Sequence, residues 1–196
     1  PTDVYGLFIY GQSAARIANN YFKNSTISFS GGTAATRLAI QAQYCDDLVI
    51  EGNTIDYGIN LVRCRNYRVE SNIFDGNSEN ENELLHATVR SYGQIIGNSF
   101  LNSYDNWIDL YSSGERTLVA NNRFSGCLAR LGTGFEIKVT LTDDPANTSG
   151  GINDYGYTRE ITVIGNIFEG FAPVIATQCA LINIYYLDNR AAPSFS

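Results

Sequence analysis

Methionine is absent from this chain of 196 residues, and histidine and tryptophan occur once each. Charge is also scarce: 13 basic and 20 acidic residues leave a formal charge of −7, and the basic residues are scattered. Binding through phosphates needs a basic face, so no nucleic acid is expected as a partner. No apolar run is long enough to cross a bilayer, so no membrane insertion is expected. The four cysteines have no zinc-module spacing and no regular Asp-x-Asp-x-Asp-Gly loop occurs, so no metal and no cofactor are expected.

What the chain has is turn formers, aromatics and a repeat. It carries 18 Gly, 13 Tyr and 10 Phe, which suits a many-stranded protein. Six times an aliphatic residue is followed three places on by asparagine and two places further by a large apolar residue. The units are Ile17-Asn20-Phe22, Ile50-Asn53-Ile55, Val69-Asn72-Phe74, Ile95-Asn98-Phe100, Val119-Asn122-Phe124 and Val163-Asn166-Phe168. Such a repeat marks a unit that cannot bury its apolar face alone and stacks on its neighbours.

The asparagines lie 33, 19, 26, 24 and 44 residues apart, so the shortest interval is the basic rung and the longer ones carry loop insertions. Short alternating runs such as Leu48-Val49-Ile50 and Ile161-Thr162-Val163 have strand periodicity. Leucine-rich repeats need a leucine ladder and left-handed hexapeptide helices need multiples of six; neither fits. The expected fold is all-β: a right-handed, single-stranded parallel β-helix of roughly eight coils, one domain over residues 1–196. Residues 4–10 already read as strand, so both ends are expected to be cuts in a longer solenoid.

Asn20, Asn53, Asn72, Asn98, Asn122 and Asn166 are expected to form a structural ladder. Asparagine tolerates left-handed backbone at a corner, and its amide bonds main-chain groups of its own and the next rung. Phe74, Phe100, Phe124 and Phe168 would plug the core beneath. Cys45 and Cys64 stand eight residues before an asparagine, and Cys179 eight before Leu187, where the last rung has lost its asparagine. Stacked parallel side chains suit a disulfide poorly, so buried free thiols are expected.

Aligning the rungs on their asparagines, with one residue inserted near Ser112-Ser113-Gly114 and a long insertion after Lys138, sets six upstream strands in register. Their second residues form an outward ladder of Phe8, Gln41, Asn60, His86, Asp109 and Glu136; their fourth, one of Tyr10, Gln43, Val62, Thr88, Tyr111 and Lys138. Asp109 and Glu136 on adjacent rungs would stand roughly 5 Å apart, the separation of a retaining glycosidase pair. One would protonate the glycosidic oxygen while the other acts as nucleophile or base. The same face permits a lyase, in which His86, Lys138 or Tyr111 removes a proton beside a uronate carboxylate neutralised by Arg90 or Arg130. Trp107 could stack on a sugar or fill a corner. Outward polar ladders are also what solvated strands look like. Two polar, turn-rich insertions, residues 75–83 and 140–157, could wall a groove.

At Val163-Ile164-Gly165-Asn166-Ile167-Phe168 and Ile95-Ile96-Gly97-Asn98-Ser99-Phe100 the chain resembles the pectate-lyase-like right-handed β-helix superfamily, over nearly its whole length. That superfamily includes pectin-active lyases and hydrolases, alginate epimerases and trimeric bacteriophage tailspikes. The irregular rungs look most like a tailspike. The resemblance implies a bacterial surface polysaccharide as partner, cleavage by hydrolysis or uronate elimination, a homotrimer in the parent protein, and an extracellular or virion location. No Asp-Asp plus His pattern of the polygalacturonase kind is present, so no family catalytic residue carries over. A non-catalytic carbohydrate-binding or structural β-helix is the alternative, because fold alone does not give activity.

Overall fold

A computed structural model of the chain describes residues 6–23, 38–56, 58–76, 84–88, 91–103, 107–111, 116–127, 137–140, 161–169 and 185–192. Every regular element among them is a strand, and all pairing is parallel. Successive strands visit three sheets in turn, the architecture of a parallel β-helix. The first sheet stacks Leu7–Tyr10, Leu38–Gln43, Gly58–Val62, Leu85–Thr88, Ile108–Tyr111 and Ile137–Thr140. The second stacks Arg16–Ala18, Val49–Glu51, Arg65–Glu70, Tyr92–Ile96, Leu118–Ala120, Thr162–Ile164 and Tyr185–Leu187. The third stacks Tyr21–Phe22, Thr54–Asp56, Ile73–Asp75, Ser99–Ser103, Arg123–Cys127, Ile167–Glu169 and Arg190–Ala192.

Alternation sends every second side chain into the space between the sheets. In the first sheet Ile40, Ile59, Leu85 and Ile108 form one buried column, and Ala42, Leu61, Ala87 and Leu110 another. The third sheet contributes a stack of rings, with centroids 4.8 Å apart from Phe74 to Phe100, 5.1 Å to Phe124 and 4.8 Å to Phe168. These are offset from the rung repeat by almost nothing, so each ring lies on the one below.

The asparagines bind the rungs together. Each Oδ1 accepts from the backbone N–H and the Nδ2 of the preceding rung's asparagine, as Asn98 does from Asn72 at 2.9 and 3.0 Å. From Asn53 onward each Nδ2 also reaches back to a carbonyl of the preceding rung, Asn98 to Val69 O at 2.9 Å. A buried amide so satisfied has little desolvation cost left to bear.

Two details of the ladder differ from expectation. The left-handed residue is the one before each ladder asparagine: Asn19, Gly52, Ser71, Gly97, Asn121, Gly165 and Asp188 all have φ between 51° and 67°. The corner therefore splits its tasks, one residue turning the chain and the next supplying the amide. The last rung has also kept its asparagine. Asn189 Oδ1 accepts from Asn166 N–H at 2.9 Å, with Tyr186 and Ala191 where other rungs have an aliphatic residue and phenylalanine. Cys179 is then ten residues before its asparagine, not eight, and lies outside the described residues.

Cys45 and Cys64 are buried free thiols, as their spacing predicts. Burial pushes the Cys64 thiol up to about 12. Its Sγ–H points to Ala42 O at 3.4 Å, so the sulfur serves as a small buried donor.

Candidate functional site

Five strands of the first sheet keep the register expected from sequence. Phe8 pairs with Gln41, Gln41 with Asn60, Asn60 with His86 and His86 with Asp109. The sixth strand sits two residues further along. Ile137 pairs with Ile108 and Lys138 with Asp109, so Lys138 takes the position expected of Glu136, and Thr140 the position expected of Lys138. A shift of two preserves alternation, and Phe135-Ile137 and Ile137-Val139 satisfy the pattern equally. Adjacency of Asp109 and Glu136 therefore has no support from strand pairing. Glu136, Arg90 and Arg130 lie outside the described residues, as do most of the two insertions, 77–83 and 141–157.

The column is not an ordinary solvated row. Phe8 is 54% exposed, yet Gln41 is 2% and Asp109 3% exposed, although alternation turns them away from the interior columns. His86 Nε2 stands 3.6 Å from Asp109 Oδ2, and the imidazole keeps 29% of its surface in solvent. One rung below, Asn60 Oδ1 is shut off from water without a donor, and Gln41 Oε1 beneath it likewise. A buried acceptor left unmatched costs about 1–3 kcal/mol.

Among the described residues, the ion pairs on the other faces are exposed. Arg65 Nη2 meets Asp46 Oδ2 at 2.6 Å and Arg123 Nη2 meets Glu169 Oε1 at 2.8 Å, each holding its carboxyl below the ordinary value. Arg16 pairs likewise with Glu51. Exposed pairs of this kind contribute little beyond tying rungs in register. Among the described residues no group of three or more His, Cys, Asp or Glu is placed to hold a metal ion.

Trp107 fills the interior and offers no face to a sugar. It is wholly buried, with its ring 5.1 Å from Phe124 and 6.1 Å from Phe168. An indole's large apolar area favours the packed interior over the adjoining groove.

Exposed rings lie instead at the first rungs, where Phe8 and Tyr10 head the two outward ladders and Tyr44 joins them. Phe8, Tyr10 and Tyr44 are 54%, 58% and 45% exposed. Phe8 and Tyr10 stack at 6.4 Å, Tyr10 meets Tyr44 at 5.3 Å, and the Arg63 guanidinium lies 5.2 Å from the Tyr44 centroid. Tyr44 and Arg63 occupy the corner position held one rung earlier by Gly11, with φ of 56°, 53° and 63°. Left-handed backbone costs a non-glycine residue about 1–2 kcal/mol, and an exposed cation–π contact returns only about 0.5–1. The signal was legible: Tyr and Arg stand directly before Cys45 and Cys64, at a corner where Gly, Asn or Asp would be cheaper.

Compared with protein-family models, curated proteins and solved structures, the chain matches none of them.

Proposed function

We propose that this chain binds an acidic polysaccharide along the outer face of its first sheet and cleaves it by elimination, with His86 as the base. The observation that carries this reading is the His86–Asp109 pair beside two buried, donorless amide oxygens. Asp109 faces Nε2, so it favours the tautomer with the proton there and orients the imidazole. The imidazole takes the proton from the carbon beside the uronate carboxylate. The carbon–hydrogen electrons form a double bond to the next carbon, whose bond to the glycosidic oxygen breaks, and that oxygen is protonated as it leaves. Lys138, in register beside Asp109, supplies positive charge or that proton. Gln41 and Asn60 accept sugar hydroxyls.

Hydrolysis by paired carboxylates, the other expectation, loses its geometric basis with the sixth strand's register. The reading otherwise keeps the right-handed helix of roughly eight coils forming one domain expected from the repeat, and what the resemblance implies: a homotrimeric parent protein and an extracellular or virion location.

The test is a panel of bacterial polysaccharides, assayed for reducing ends and for ultraviolet absorbance of the conjugated double bond. Absorbance that vanishes in His86→Ala and falls in Asp109→Asn supports elimination. Reducing ends without absorbance would mean hydrolysis, and binding without either would mean a carbohydrate-binding module.

A further inference from the structure

We draw no further inference here: the strongest candidate, the outward apolar column of Ile96, Ala120, Ile164 and Leu187 on successive rungs of the second sheet, carries nothing because nothing in the structure shows what covers it.

Discussion

His86 Nε2 faces Asp109 Oδ2 across one rung at 3.6 Å, and the carboxylate is nearly wholly buried while the imidazole stays partly in solvent. A buried acid behind an accessible base is the arrangement that orients an imidazole and fixes its tautomer. Strand register delivers it: the two residues are direct neighbours in a parallel ladder, and inward aliphatic side chains on both sides hold the backbone still.

The sixth strand's register has a direct consequence for activity. Lys138→Met, which keeps the length and removes the charge, should lower turnover at least tenfold if Lys138 supplies charge or a proton beside Asp109. Glu136→Gln should leave it within about twofold, because side chains without a transition-state role change kcat little. Initial rates on the cleaved polysaccharide decide. The reverse pattern would restore the paired carboxylates.

Gln41 offers a trade between stability and binding. Its Oε1 is buried without a donor. Gln41→Leu removes that unmatched acceptor and should raise stability by about 1 kcal/mol in urea unfolding, while weakening oligosaccharide binding. If stability falls and binding is unaltered, the amide is part of the scaffold.

The asparagine ladder predicts a graded series. Asn98→Ala strips the acceptor from Asn72 N–H and Nδ2 and the donors from Val69 O and Asn122 Oδ1. The loss should be on the order of 3 kcal/mol, since several buried groups are left unmatched. Gly97→Ala, one residue earlier, meets nothing within 4 Å and should cost only the left-handed backbone, about 1 kcal/mol. At the same corner, a Cβ on Gly165 would come within 2.5 Å of Asn121 Oδ1, so Gly165→Ala should cost more than Gly97→Ala. Urea midpoints of the three variants test the order.

Cys64 makes stability depend on alkaline pH. Burial raises its thiol from 9.0 to about 12 in the folded chain. Between those values the unfolded chain loses the proton and the folded one keeps it, so stability is intact below the lower value and falls as pH rises through the window. Cys64→Ala should flatten part of that fall. In the native state at pH near 8 the thiol should resist iodoacetamide and react only after unfolding, because the thiolate is the nucleophile.

Much of the fold was legible because each rung repeats the same physical task. Ile-x-x-Asn-x-Phe encodes an inward aliphatic residue, a corner amide and a core plug, and a period-two alternation does the rest. Four strands of the first sheet could be aligned from the asparagines alone and a fifth with one inserted residue, and Phe74, Phe100, Phe124 and Phe168 were readable as a stack. Asn189 was missed since Tyr186 and Ala191 break the pattern on both sides, though its amide completes the ladder regardless.

The sequence by itself determined the repeat, the corners and the inward columns, all set by local periodicity and by residue types that suit one position. Only the tertiary structure decided the rest. A two-residue slip leaves alternation unchanged, so pairing alone could place Lys138 beside Asp109 in place of Glu136. Burial of Gln41 and Asp109 on a face that alternation assigns to solvent depends on what packs across rungs, and so does the choice of Trp107 for the interior. The exposed group of Tyr10, Tyr44 and Arg63 arises because coiling brings three rungs' corners together, a proximity that separation along the chain conceals.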